Sequence, residues 1–426
     1  MNYIEAVNYI HSLLKFGIRP GLNGMDALLR FLGNPHKNLK CVHIAGTNGK
    51  GSTSTAISNV LTEAGYRVGL YTSPYVTDFL ERVQFCGKPI DKAVFADAVG
   101  KVKNAVEELD KQEIVITEFE ALTASAFLCY KELQCDVVVL EVGLGGRLDA
   151  TNIIEAPLVN VITSLSIDHS AILGNTIEEI AFEKCGTIKG NGNVICSFGQ
   201  PEGAKKIVEK TAKEKNNTLI IPCESDVEIL KSDIFGTIFV YKNDEYFVKM
   251  PGVHQVKNMT CVIEACNALK VHFNITDENI KNGISKTTLP ARVEIISKKP
   301  LVILDGGHNE DGAKAFYNAV LPEISNKRKV VVIAGMMADK AVEESLKPLM
   351  LKTDVFFAVT PDNPRAMKSQ DLAEILAKYS GQVFSVDKIK DAVKIACSNI
   401  DENTALLVVG SLYLAGEIRE TLLEIF

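Results

Sequence analysis

The stretch His43-Ile44-Ala45-Gly46-Thr47-Asn48-Gly49-Lys50-Gly51-Ser52-Thr53 decides how this chain is read. Cys41 to Ala45 is a mostly apolar run that reads as a buried parallel strand. A glycine-rich turn follows, and Ser52 opens a helix-competent segment running to about Gly65, a C′ glycine. Strand, glycine loop, lysine, hydroxyl residue and helix make the layout of a phosphate cradle: glycines let backbone N–H groups approach the oxygens, and the helix N-terminus adds partial positive charge. Lys50 supplies a full charge, and a nearby hydroxyl reaches Mg2+. The spacing is not standard. Ile44 stands where the usual pattern has its first glycine, and Gly51 separates Lys50 from Ser52. A plain glycine turn between strand and helix is the competing reading, but glycines packed this densely cost conformational entropy that a ligand would offset.

Around that loop, 426 residues are too many for one ordinary core and point to two domains, 1–292 and 293–426. Hydrophobic content of 46% with 23% charged residues is that of a globular protein. A net charge of −7 argues against a nucleic-acid partner, which needs a broad basic face, yet leaves room for a local anion pocket. No apolar run is long enough to span a bilayer, and Met1-Asn2-Tyr3-Ile4-Glu5-Ala6 lacks the regions of a signal peptide, so no membrane association and a cytoplasmic location are expected. The ten cysteines include no CxxC pair, and those in apolar runs (Cys41, Cys129, Cys261, Cys266) read as buried free thiols in a reducing compartment rather than a metal cluster.

In chain order, residues 3–15 read as a helix with Ile4, Val7, Ile10, Leu13 and Leu14 on one apolar face. Arg67 to Tyr71 is a short strand ending in Thr72-Ser73-Pro74-Tyr75, and strand-end loops of this kind bind ligands in open α/β sheets. Val76 to Pro89, carrying Glu81 and Arg82, reads equally as a substrate lid or a surface loop. Thr117-Glu118-Phe119-Glu120 is a capping box opening a helix to about Leu133. Asp136 to Val142 is an almost unbroken apolar strand, buried on both faces, that Glu141 interrupts near its carboxyl end. A buried carboxylate there needs a cation. An ion pair with Arg147 would serve; a Mg2+ role is favoured, because strand and glycine loop (Gly143-Leu144-Gly145-Gly146) repeat the layout of the first cradle. Leu158 to Thr163 is the next strand, leading to Asp168-His169. A second capping box at Thr176 opens a helix ending near Lys184, whose plain reading is a cation at the negative end of a helix dipole. Residues 190–250 read as an extra β-rich edge, with a hairpin turn at Lys242-Asn243-Asp244. His254 to Asn258 enters a helix to about Leu269. From Val293, strands at 301–305, 329–335, 355–360, 383–386 and 405–410 with helical segments between most of them imply a doubly wound parallel sheet.

These residues resemble the folylpolyglutamate synthase family and its bifunctional dihydrofolate synthase relatives, in the Mur ligase superfamily. The resemblance is carried by His43 to Thr53, Thr72-Ser73-Pro74, Glu141 to Asn152, Asp168-His169, Glu183-Lys184, Gly252 to Gln255 with Asn258, Ala291-Arg292, Asp305 to Asn309 and Gly410 to Tyr413, in family order. The single-lysine cradle followed by Gly51 is characteristic of the folate branch. The resemblance implies a P-loop-type Mur ligase ATPase domain with a mostly parallel sheet and a small β-rich edge, then a Rossmann-like glutamate ligase domain. It implies ATP-dependent ligation of L-glutamate to a folate through an acyl phosphate, with ATP and Mg2+ as cofactors and a monomeric chain. Catalytic roles fall on Lys50, Glu141, His169 and Lys184. Gly46, Thr47, Asn48, Gly49, Lys50, Gly51 and Ser52 would cradle ATP, with Asn258 at the adenine, Arg292 at the phosphates, Asp305 at the ribose and His308 near the nucleotide. Ser73, Glu141 and His169 would surround Mg2+, and Lys184 matches a lysine that is carbamylated in the family. Tyr75, Arg82 and Asp149 are the substrate candidates.

The chain departs from the family at Tyr75, Val76, Cys185 and Gly307, which touch substrate detail more than the chemistry. A Mur-type ligase acting on a cell-wall UDP-sugar peptide is the alternative, disfavoured by the folate-type cradle. A non-catalytic nucleotide-binding regulator is disfavoured by Glu141, His169, Lys184 and Arg292 occurring together. Dihydropteroate and a folate are both open as the acceptor of glutamate.

Overall fold

The computed structural model describes residues 1–426 except 308, 339–341, 351, 380 and 399, and leaves out the side chains of 311 and 344. Eight strands form the first sheet: β1 (Cys41–Ala45), β2 (Val68–Tyr71), β3 (Val83–Phe85), β4 (Lys88–Pro89), β5 (Val137–Glu141), β6 (Val159–Ile162), β7 (Asn193–Cys196) and β8 (Thr218–Ile220). Their order is β4-β3-β2-β5-β1-β6-β7-β8, which sets the strand before the glycine loop between β5 and β6, parallel to both. Only β3 and β4 run antiparallel to their neighbours.

The apolar run of β5 has a direct structural cause. Val138 and Leu140 pack into the core beneath helices Lys92–Asp110 and Glu118–Glu132, while Val137 and Val139 join the core beneath helices Lys50–Glu63 and Val253–Leu269. Both faces are covered, so period-2 alternation disappears from the sequence. The loops after β1, β2, β5 and β6 all leave from the carboxyl edge, where open α/β sheets bind ligands.

Several expectations hold locally. Thr117 and Thr176 each cap a helix through a complete capping box. Gly65 follows the C-cap of the first-loop helix with φ of +88°. Lys242 and Asn243 have φ of +51° and +71°, the paired positive values of a type I′ hairpin turn.

Others are corrected. Residues 190–250 are not one β-rich edge: β7 and β8, joined through helix Glu202–Glu214, extend the parallel sheet. Only β9 (Val227–Asp233), β10 (Gly236–Tyr241) and β11 (Asp244–Val248) form a separate antiparallel sheet. Val76 to Pro89 is neither lid nor plain surface loop. The Glu81 carboxylate accepts the Val76, Thr77 and Asp78 amides, a short 3-10 turn follows at Phe79–Arg82, and β3 with β4 completes the sheet edge. The first helix spans Tyr3–Ser12 and buries Ala6 and Ile10; a 3-10 turn at Leu13–Phe16 buries Leu13, and Ile4 and Leu14 stay 69% and 60% exposed. Helix Asn23–Phe31, unassigned from sequence, starts with no side-chain cap to announce it.

The third sheet holds β12 (Glu294–Lys298), β13 (Leu301–Leu304), β14 (Lys329–Ala334), β15 (Val355–Val359), β16 (Val383–Val386) and β17 (Thr404–Val409) in the order β12-β13-β17-β14-β15-β16. It is parallel except for β12, a strand the sequence reading does not anticipate. Among the described residues no helix is long and apolar enough to cross a membrane.

Candidate active site

Two glycines of the first loop are there because nothing larger fits. Gly46 has φ of +151° and a Cβ on it would overlap Thr163 Oγ1; Gly49 has φ of +88° and a Cβ on it would overlap Asn258 Oδ1. The Thr47 amide donates to Ser164 O at 2.8 Å, and Thr47 Oγ1 to Ser166 O at 3.0 Å, pinning the loop to the segment after β6. Helix Lys50–Glu63 then begins on left-handed Gly49 with no side chain capping it, so its first amides face the cleft.

Two lysines converge on one carbonyl. Lys50 Nζ donates to Gly46 O at 3.1 Å and to Thr47 O at 3.2 Å, and Lys184 Nζ donates to Gly46 O at 2.9 Å. Burial lowers the Lys50 pKa against the opposing pull of Glu141. Burial, helped by the Lys50 charge, lowers Lys184 to about 7. Lys184 does sit in the last turn of helix Ile177–Cys185, but its side chain is buried behind the cradle, 4% exposed.

Glu141 is equally buried, and desolvation raises its carboxyl to about 7 against the pull of Lys50. Its Oε2 accepts the Ser73 amide at 3.2 Å. A Cβ on Gly51 would lie 3.7 and 3.8 Å from the two carboxylate oxygens, so the start of this helix lies directly against Glu141. The alternative ion pair with Arg147 is overturned: Arg147 pairs with Glu183 at 2.9 Å, and its backbone amide bonds Glu183 O. Ser52 is buried, its Oγ 3.9 Å from Met250 Sδ.

Every described site candidate lines one cleft of about 2120 Å³, to which both halves of the chain contribute. His169, in a left-handed conformation, stands 3.9 Å from the Asp168 carboxylate. Asn258 Nδ2 donates to Gln255 Oε1 at 3.0 Å. Asp305 accepts the Val293 and Gly307 amides at 2.9 and 2.8 Å; burial raises its pKa and Arg292 opposes the rise. His308 lies outside the described residues.

The three substrate candidates differ. Tyr75 packs edge-on against Phe79 on the cleft wall. Arg82 is engaged in a mostly buried pair with Glu118 at 2.7 Å, its guanidinium 5.7 Å from the rings of both Phe79 and Phe119. Asp149 is turned to its own loop, accepting Leu144 N at 2.9 Å, Thr151 N at 3.0 Å and Thr151 Oγ1 at 2.6 Å. Its carboxylate organises this loop, which lines the cleft.

Three cleft residues carried no assigned role from sequence. Glu118 is inside the Thr117 capping box but its partner Arg82 is 36 residues away. His254, lowered to about 4 by burial and the nearby Arg292, sits in a stretch already singled out for Asn258. Asn309 follows the Asp305 strand end, and no local signal marks what it reaches.

This arrangement has known counterparts. Residues 44–266 match the Mur ligase middle domain, and residues 291–412 match the Mur ligase glutamate ligase domain. The chain therefore belongs to the Mur ligase family, in its folylpolyglutamate synthase and dihydrofolate synthase branch. A Bacillus subtilis dihydrofolate synthase/folylpolyglutamate synthase is 37% identical over 431 residues, covering 99% of each chain. Mycobacterium tuberculosis folylpolyglutamate synthase, solved with ADP and AMPPCP, superimposes with a TM-score of 0.89 at 28% identity over 99% of both chains. Escherichia coli FolC in complex with DHPP and ADP gives 0.85 at 29% identity, over 99% of this chain and 97% of that one.

Proposed function

We propose that this chain is an ATP-dependent ligase that joins L-glutamate to a folate. The γ-phosphoryl group of ATP passes to a substrate carboxylate oxygen, releasing ADP. The glutamate amine then attacks the acyl phosphate carbon, the C–O bond to phosphate breaks, and the amine gives up a proton as the amide forms. The observation that carries this reading is the single cleft into which the glycine loop, Lys50, Glu141 and Lys184 face Arg292 and Asp305.

Each residue has a physical task in that scheme. The loop amides and Lys50 hold the phosphates, Arg292 adds charge from the second half, Asp305 takes the ribose and Asn258 the adenine. Two anionic reactants must meet in line, so fixed cations and positioned donors carry much of the rate. Tyr75, Arg82 and the loop held by Asp149 bound the folate. We take 1–292 as the ATP-binding domain and 293–426 as the glutamate ligase domain; closing one on the other excludes the water that would hydrolyse the acyl phosphate.

Mg2+ fits this donor set. Among the described residues no three His, Cys, Asp or Glu side chains converge on a point, which disfavours an all-protein cage. Mg2+ asks for less: one or two carboxylates, water and phosphate oxygens. Glu141, a buried carboxylate raised by desolvation, is the group a cation would relieve. Ser52, Ser73, Glu141 and His169 would hold the ion, whose chemistry is to neutralise phosphate charge. Lys184, whose pKa of about 7 leaves a large share of it as free amine at pH 7, suits conversion to a carbamate. The chain acts as a cytoplasmic monomer in this reading, with neither nucleic acid nor membrane as partner.

The test is glutamate-dependent ADP release by the purified chain with tetrahydrofolate and with dihydropteroate. Release with either supports folate ligation and tells which acceptor is used. No release with any folate or dihydropteroate overturns it, and release with a UDP-sugar peptide would move the chain to the cell-wall branch.

A further inference from the structure

A side-chain hydrogen bond ties the glycine loop to the second half of the chain. Asn309 Nδ2 donates to Asn48 Oδ1 at 3.1 Å across the cleft. The other end of the same amide caps helix Glu310–Ile324, with Asn309 Oδ1 accepting Gly312 N at 2.9 Å. A backbone amide only donates, so the oxygen must face the helix and the NH2 group must face the loop. Asn48 is correspondingly committed to presenting its oxygen. Its backbone is held in place by the neighbouring Thr47 amide on Ser164 O, and Asn48 N also points to that carbonyl at 3.4 Å. Asn309 stands four residues beyond Asp305, on the segment that carries the second half's share of the site.

The halves also touch where helix Leu412–Ile425 meets the loop after β2. A Cβ on Gly416 would overlap Val76 O, so the helix backbone lies directly on the segment that begins at Ser73. That second touch lets the Asn48–Asn309 bond act on alignment, because the halves already meet elsewhere.

We propose that Asn309 is a positioning residue that locks the glycine loop to the second half of the chain through Asn48. The proposal rests on the cleft being a nucleotide site. With the bond made, Lys50 and the loop amides are held in register with Arg292 and Asp305 before nucleotide arrives. Without it, part of the binding energy must be spent on aligning the two halves.

The substitution that isolates this role is Asn309→Ser. Serine is a good N-cap, so the helix keeps its start, but its side chain is too short to reach Asn48. Titration of ADP into the full chain by calorimetry should show the dissociation constant raised about 3–10-fold in Asn309→Ser, the range of one net hydrogen bond. The melting temperature should match the parent. Asn48→Ala should weaken ADP as well, and Asn309→Ser added to it should cost nothing further, since the bond is already gone. Asn309→Asp keeps the cap but sets oxygen against oxygen and should bind ADP more weakly than Asn309→Ser. Parent-like affinity in Asn309→Ser, or losses that multiply in the double variant, would overturn the lock. A fall in melting temperature in Asn309→Ser as large as in Asn309→Ala would show a cap and nothing more. If the parent chain binds no ADP, the nucleotide reading of the cleft fails, and the lock with it.

Discussion

Replacing Glu141 by glutamine should make the free chain more stable and leave it unable to turn over. Burial raises the Glu141 carboxyl from an ordinary 4.5 to about 7, even with Lys50 and the Ser73 amide pulling the other way. At about 1.4 kcal/mol for each pH unit, ionising it in the folded chain costs about 3 kcal/mol. The sign follows from proton counting. Between 4.5 and 7 the folded state holds the proton that the unfolded state has lost, so stability falls as pH rises through this window and stays reduced above it. Glutamine carries no such cost and still offers an oxygen to Ser73 N. Thermal melts at pH 8 should therefore place Glu141→Gln about 6 °C above the parent, at roughly 2 °C per kcal/mol for a large domain. At pH 5 the difference should shrink to under about 1 kcal/mol. Glutamate-dependent ADP release should be lost at both. A variant no more stable than the parent at pH 8, or one whose gain is equal at pH 5, would refute the claim that desolvation of this carboxylate dominates.

Lys184, lowered to about 7 by burial and Lys50, should be mostly ammonium at pH 6 and mostly amine at pH 8, so 13C-labelled CO2 should give a carbamate signal that grows over that interval and is absent in Lys184→Arg. A signal that is independent of pH or survives the substitution refutes it. Gly283→Ala should lower the melting temperature, since its Cβ would lie 2.5 Å from Val60 N and force helix Asp277–Ser285 off helix Lys50–Glu63 at a cost of about 1–3 kcal/mol. A parent-like melt would mean the crossing has room. Arg82→Met strands the Glu118 carboxylate in its mostly buried pair and should cost about 3–5 kcal/mol, much of which adding Glu118→Gln should restore. Equal melts for the single and double variants would show that the pair is not coupled.

How far each feature could be read in advance follows the reach of the bonds that make it. The capping boxes at Thr117 and Thr176 close within three residues, and the turn at Lys242-Asn243 needs only its own dihedral angles. Those are local and legible. The hairpin of β3 and β4 depends on Glu81 gathering three amides and on pairing with β2, and nothing in its mixed polarity announces that. β12 is half-buried and follows no clean alternation, so its place beside β13 emerges only when the sheet is built. Leu14 satisfies helical periodicity but faces solvent because the α-helix ends at Ser12, and Ile4, in the first turn of that helix, stays exposed while Ala6 and Ile10 are buried.

By itself the sequence determined the glycine loop between strand and helix, the buried carboxylate on β5 and the alternation of strands and helices, because each rests on residue type and short spacing; the ligase branch came from the resemblance of its ordered motifs to a known family. Tertiary structure alone decided what those residues meet. It sent Arg147 to Glu183 and left Glu141 facing the helix start, brought Lys184 and Lys50 to the same Gly46 carbonyl, paired Arg82 with Glu118 and joined Asn48 to Asn309. Apart from Lys50 and Gly46, these partners lie tens to hundreds of residues apart. Which of several acids a cation finds is settled by the order of strands at the carboxyl edge of the sheet, and that order is a property of packing rather than of any local stretch of chain.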